Sequence, residues 1–178
     1  YLTYQNGELN VTQYFDPTLE PVSKDSQEEL VKKLSDVLED SVEKHMLADV
    51  EVGAFLSSGV DSSYIAAKYS GKKTFTVGFF DKNNQYSETQ YAEECATYLG
   101  LENYSHQITE EEYWGEMPKI MYHMDEPLAD PAAIALYFVA REAAKQVKVV
   151  TSGEGADEFF AGYNSYQEEL TMQGYMKL

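Results

Sequence analysis

The apolar positions of this 178-residue chain fall into two alternating rhythms. Leu30, Val31, Leu34, Leu38, Val42 and Met46 recur at helical spacing, and Ser26 with Glu29 forms a capping box ahead of them. The run Val52-Gly-Ala-Phe-Leu56 reads as a short buried strand, and helical spacing resumes from Asp61. Thr74–Gly78 and Asn103–Ile108 read as two more strands. Between them, Ser87 with Gln90 caps a helix that runs to Leu99 and stops at Gly100. Thr109 with Glu112 opens a helix carrying Tyr113, Met117, Ile120, Met121 and Met124. Asp130 as N-cap and Pro131 as first residue open another, through Lys145. Lys148–Thr151 is the last strand, and the remainder reads as helical or frayed.

Strands and helices in this order predict an α/β fold, a parallel sheet with helices on both faces. Ahead of it, Tyr1–Gln5 and Glu8–Phe15 flank Asn6-Gly7, a strong hairpin signal. A lone hairpin is marginal in water and belongs to something larger. Residues 16–25, with Pro17 and Pro21, read as a linker.

Two strand-to-helix loops carry the chemistry. Ser57-Ser-Gly-Val-Asp61-Ser-Ser63 follows the first buried strand. Small residues there present backbone N–H groups to an anion, and the helix N-terminus adds partial positive charge. Asp61 beside a phosphate makes sense if a cation such as Mg²⁺ bridges them. The loop lacks the Gly-Lys-Ser/Thr ending of a Walker A motif. The plainer reading is a turn with Asp61 as helix cap. The second loop, Ser152-Gly-Glu154-Gly-Ala-Asp157-Glu158, follows the last strand.

The first loop resembles the pyrophosphate-binding loop of the ATP pyrophosphatases, Ser-Gly-Gly-x-Asp-Ser, with Ser58 in place of the first glycine. A positive φ there would cost Ser about 1–2 kcal/mol. The second loop, continued through Phe160, Gly162 and Tyr163, resembles the signature of the glutamine-hydrolysing asparagine synthetase family. Asp49–Leu56 and Asp125-Glu126-Pro127…Asp130-Pro131 extend the resemblance over essentially the whole chain. It implies an adenine nucleotide alpha-hydrolase-like, Rossmann-like fold. It divides the chain into 1–25, the hairpin and linker ending a glutaminase domain, and 26–178, part of a synthetase domain.

The implied reaction is ATP-dependent amidation of aspartate through β-aspartyl-adenylate, releasing AMP and pyrophosphate. Ammonia would come from glutamine. The implied ATP-binding residues are Leu56, Ser57, Gly59, Asp61, Ser62, Ser63, Val77, Ser152 and Gly153. Leu56 and Val77 match positions that contact the base largely through main chain. Asp61 and Asp157 would hold Mg²⁺, and Glu154 would handle protons on the incoming ammonia. Asp125, Glu126 and Asp130 are weaker candidates for the acceptor amino acid. The glutaminase half, and the later part carrying a cationic group for pyrophosphate, lie outside this sequence. The expectation is a fragment with a partial nucleotide site, inactive alone. A β-lactam synthetase-like enzyme shares both loops, and a non-catalytic adenine-nucleotide binding module is the alternative from another class.

Composition narrows the partners. A net charge of −18 and a single arginine, Arg141, argue against nucleic acid or an anionic membrane. No 18-residue apolar run and no signal pattern occur, which points to a cytoplasmic protein; a homodimer is compatible with this reading. The single cysteine, Cys95, shares a helical face with Tyr91, Ala92 and Leu99 and reads as core. His45, His106 and His123 lack metal-ligand spacing and read as structural or surface.

Overall fold

The computed structural model describes residues 1–16, 23–80, 88–126 and 129–166. It divides into two compact units, Tyr1–Asp36 and Val37–Leu178. In the first, β1 (Leu2–Gln5) and β2 (Glu8–Val11) form the expected hairpin. Asn6 and Gly7 both take positive φ, at 54° and 84°, as a type I′ turn requires. The second strand ends at Val11, four residues short of the expected Phe15. Helix α1 (Gln27–His45) begins in this unit, and its capping box is real. Ser26 N–H donates to Glu29 Oε2 at 2.8 Å, and Glu29 N–H returns to Ser26 Oγ at 3.3 Å. Pro17 and Pro21 of the linker, and Ser87 of the expected cap, lie outside the described residues.

The second unit contains a four-stranded sheet ordered β5–β4–β3–β6, with every neighbour parallel. Its strands are β3 (Val52–Phe55), β4 (Lys73–Phe79), β5 (Glu102–Ile108) and β6 (Val149–Thr151). Between them run α2 (Val60–Lys68), α3 (Glu88–Leu99), α4 (Glu110–His123) and α5 (Pro131–Ala143), and α6 (Ala156–Phe160) follows β6. The period-2 alternation of the strands sorts the core into two layers. Ala54 packs with Val42 and Tyr69, and Leu56 packs with Ala66, Ala92 and Ala96, so the end of α1, α2 and α3 cover one face. Phe75 points the other way, onto Val139, Ala143 and Val147. Ile108, Ile120, Ile134 and Phe138 complete that side, where α4 and α5 lie. The fold class expected from the sequence is what forms.

Cys95 is half-buried against the Leu56 cluster, as read. Tyr91, assigned to the same face, is 65% exposed. The small Ala92 and Ala96 let α3 approach the sheet, and the larger ring turns outward.

Chain order reverses between β3 and β6. From β3 the chain moves to β4 and then β5; after α4 and α5 it returns to the opposite side of β3. The loops leaving the carboxyl ends of β3 and β6 are therefore neighbours at a topological switch point, where open α/β sheets bind ligands.

Arg141 knits α4, α5 and β5 together. Its guanidinium bonds Glu112 and lies 3.7 Å from Glu116 and 3.3 Å from Glu142. His106 Nε2 sits 2.9 Å from the same Glu112 carboxylate. Arg141, and then His106, hold the Glu112 carboxyl down to about 2 against burial. A depressed carboxylate contributes stability above its unfolded pKa of about 4.5, and that contribution is lost as pH falls toward about 2. Glu112→Gln should lower the unfolding midpoint at pH 7 by about 2–4 °C, for about 1 kcal/mol lost. Thermal unfolding followed from pH 6 down to 2 should converge on the wild-type curve at the acid end. A constant gap between the two curves would show that the carboxylate's charge is not what matters.

Candidate functional site

Helix α2 begins at Val60, with Gly59 as N-cap and no side-chain capping bond. Asp61 is therefore not the cap; it stands inside the first turn. Among the described residues its carboxylate has no assigned hydrogen-bond partner. The first backbone bond into the helix is Ser63 N–H to Gly59 O, at 3.2 Å. The N–H groups of Val60, Asp61 and Ser62 that precede it point out of the helix end, together with the positive end of the dipole.

The loop before α2 is closed by its own hydroxyls. Ser57 N–H donates to Ser62 Oγ at 3.0 Å, Gly59 N–H donates to Ser57 Oγ at 3.1 Å, and the two hydroxyls share a 2.8 Å bond. Ser57 and Ser62 thus shape the loop before any ligand arrives. Ser63 Oγ donates to Gly59 O at 2.8 Å and does not line the cavity. Ser58 is not among the residues with positive φ, so its replacement of a glycine carries no left-handed penalty.

The second loop meets the first at Gly153. A Cβ there would lie 3.0 Å from Ser62 N, 3.1 Å from Asp61 C and 3.1 Å from Asp61 Cβ. A side chain there would push the two loops apart by a few tenths of an ångström, so glycine lets them close tightly over the helix end. Gly155, at φ 89°, then turns the chain into α6 in a conformation that costs other residues about 1–2 kcal/mol. Gly153→Ala should destabilise the protein by about 1 kcal/mol through overpacking and weaken anion binding at the Ser62 N–H. Paired melting and nucleotide titrations check this; an unchanged titration would mean that the loops give way without consequence.

The cavity between the loops has a volume of about 330 Å³. It is lined by Leu56, Ser57, Gly59, Asp61, Ser62, Val77, Ser152, Gly153, Glu154 and Asp157, that is, every site residue expected from the sequence except Ser63. Asp125, Glu126 and Asp130 do not line it. Asp130 instead accepts Ala132 N–H at 2.9 Å as the cap of α5.

Other lining residues were not anticipated. Ala132, Ala135, Leu136 and Val139 form a wall from α5, with Phe55, Gly155 and Tyr163 beside them. The four α5 residues lie at spacing i, i+3, i+4 and i+7, an apolar stripe that periodicity alone does not separate from a core face. Tyr163 OH donates to Glu158 Oε1 at 2.9 Å, and that bond, helped by the charges of Glu158 and Asp157, pushes the phenol up to about 12.

Asp61, Glu154 and Asp157 make the lining acidic, and among the described residues no lysine, arginine or histidine lines it. Among the described residues no three acids, cysteines or histidines cluster as a self-contained metal site. Two carboxylates beside a bank of N–H donors instead fit a hard cation whose remaining ligands are water and phosphate oxygens.

A match to known proteins settles the family. The asparagine synthase family model matches residues 33–177. The chain belongs to the asparagine synthase family. It is 48% identical over 177 residues to asparagine synthetase [glutamine-hydrolyzing] 1 of Bacillus subtilis, covering 97% of this chain and 28% of that protein. It is 44% identical over 171 residues to a putative asparagine synthetase [glutamine-hydrolyzing] of Mycobacterium tuberculosis, covering 93% of this chain and 26% of that one. Asparagine synthetase B [glutamine-hydrolyzing] of Escherichia coli is 30% identical over 184 residues, 92% of this chain and 32% of that protein. The chain thus spans between a quarter and a third of the length of these relatives. No helix among the described residues is long and apolar enough to cross a membrane.

Proposed function

We propose that this chain is the nucleotide-binding core of a glutamine-dependent asparagine synthetase. On this reading residues 1–25 end the glutaminase domain and 26–178 belong to the synthetase domain, in a cytoplasmic enzyme. The β-carboxylate of aspartate attacks the α-phosphorus of ATP, pyrophosphate leaves, and ammonia displaces AMP from the β-aspartyl-adenylate to give asparagine. The observation that carries the reading is the convergence of the two loops: Gly153 backs onto Asp61 and Ser62 at the end of α2, with Glu154 and Asp157 lining the same cavity.

Each group then has a task. The outward N–H groups of Val60, Asp61 and Ser62 receive the phosphates, and the Ser57–Ser62 hydroxyl bond holds the loop in shape. Ser152 and Gly153 lie toward the α-phosphate. Ser63, bonded to Gly59, supports the loop from behind. Asp61 and Asp157 would hold Mg²⁺, which offsets phosphate charge that an acidic cavity cannot offset alone. Glu154 takes a proton from the incoming ammonia.

Val77 fits the base through its main chain. Glu102 N–H donates to Lys72 O and Phe80 N–H to Ile108 O, so even-numbered residues of β4 face β5. Odd-numbered ones face β3, as the bond from Leu56 N–H to Phe75 O shows. The β3–β4 register ends at Phe55↔Phe75. Val77 follows two residues later, its N–H and C=O turned to the space beyond β3. Apolar side chains of α5 and Phe55 offer faces for an aromatic ring.

Aspartate-dependent exchange of labelled pyrophosphate into ATP by the full-length protein tests the proposal. Exchange that requires Mg²⁺ and aspartate is the expected result. Exchange driven by a different acid, with none from aspartate, would move the protein to another acceptor within the same chemistry.

A further inference from the structure

The ladder between β3 and β4 stops one hydrogen bond early, and a side chain stops it. After Leu56 N–H donates to Phe75 O at 2.9 Å, the next bond of a parallel ladder would run from Val77 N–H to Leu56 O. That bond is absent. Leu56 O accepts from the Thr76 hydroxyl instead, at 2.7 Å. Leu56 is 2% exposed and Thr76 also 2%, so the carbonyl has no water to turn to and the hydroxyl is its donor.

Asn103 fixes which way the hydroxyl points. Its side-chain amide lies with one terminal atom 3.0 Å from Thr76 Oγ1 and 3.1 Å from Thr74 Oγ1. A threonine hydroxyl has one proton. Thr76 gives its proton to Leu56 O, and Thr74 can give its own to Glu102 O at 3.2 Å. The amide group facing both oxygens must then be the donor. With oxygen in that place, the amide nitrogen is buried without a partner. We therefore assign the NH₂ group to that position, where its two N–H bonds serve both threonines. The result is a directed relay, Asn103 to Thr76 to Leu56 O.

We infer that Thr76 is a positioning residue of the nucleotide site: by occupying the Leu56 carbonyl it keeps the Val77 N–H free for the ligand. The inference rests on the adenine-nucleotide reading above, in which the Val77 main chain meets the base. An N–H beside a C=O on Val77 matches an acceptor next to an amino donor, as on the Watson–Crick edge of adenine. It opposes guanine, which presents the reverse order. Without the hydroxyl, Leu56 O is left buried and unpaired, and Val77 N–H is the next donor in register. The ladder then extends by one bond and takes the ligand's donor.

Amide hydrogen exchange at Val77 in the full-length protein tests this, with and without ATP or GTP in the presence of Mg²⁺. In the wild type the Val77 amide should exchange fast, slow on adding ATP, and be little affected by GTP. In Thr76→Val it should already be protected without nucleotide, with ATP affinity lower by about tenfold, one hydrogen bond's worth. Thr76→Ser, which restores the hydroxyl, should return both toward wild type. A wild-type Val77 amide protected before any nucleotide is added overturns the inference, and needs no variant to see. So does Thr76→Val with unchanged exchange and affinity. If the wild type binds no ATP, the functional reading fails, while the ligand-free comparison of Val77 exchange still judges the role of Thr76 in ending the ladder.

Discussion

In the full-length protein, Asp61→Asn is expected to weaken Mg²⁺-dependent ATP binding by roughly a hundredfold (about 2.8 kcal/mol) and to abolish pyrophosphate exchange. The size follows from where the residue stands. Asp61 is within the first turn of α2 and lines the cavity, while Gly59 is the N-cap. Removing the charge therefore costs the helix only its dipole interaction, about 0.3–1 kcal/mol, and leaves its shape. Stability and binding separate for this reason. The melting temperature should move by a few degrees at most, while calorimetric titrations with and without Mg²⁺ should become alike. If the variant keeps its Mg²⁺-dependent gain in affinity, the carboxylate does not reach the cation, and Asp157 or the phosphates alone hold it.

The two charge clusters of the described residues divide clearly by role. The most depressed carboxyl, Glu112, belongs to the Arg141 network on α4, α5 and β5, where every charge faces an opposite one. Asp61, Glu154 and Asp157 all line the cavity, and no described lysine, arginine or histidine does. A network that satisfies itself strengthens the fold, whereas like charges left facing a cavity await something from outside.

What could be read in the sequence was what depends on near neighbours. The caps at Ser26, Thr109 and Asp130 form as expected, because a side chain bonding an N–H two or three residues on needs no tertiary partner. The β-branched and aromatic runs become strands, and the helices that alternate with them make the sheet parallel. The two loops were legible through their small residues. Three features were not. Periodicity cannot tell the face of α5 that meets the core from the one that meets a cavity, so Ala132, Ala135, Leu136 and Val139 went unnoticed. His106 reads as structural or surface, but nothing local shows what it joins: its partner Glu112 stands six residues on and is shared with Arg141 from α5. Thr76 looked like one β-branched residue among others; its function depends on a carbonyl twenty residues earlier.

Glu154→Gln should leave ATP binding within about threefold of wild type while lowering turnover by about 10²–10⁴, the range expected when a general base is removed. Glu154 is exposed and lines the cavity one residue beyond Gly153, where the two loops touch. Its backbone N–H is tied to Ser152 Oγ at 3.4 Å, and its carboxylate has no assigned partner among the described residues. Nothing in the fold requires its charge, so the amide should preserve the loop. The exchange of one oxygen for NH₂ removes only the ability to accept a proton from ammonia attacking the activated acyl group. Turnover with aspartate and ammonium, set beside ATP titrations of the same preparation, separates the two effects. Pyrophosphate exchange should survive better than asparagine formation, because activation precedes the ammonia step. Near-normal asparagine formation would reduce Glu154 to part of the rim, and a parallel loss of ATP binding would make it a phosphate-side residue.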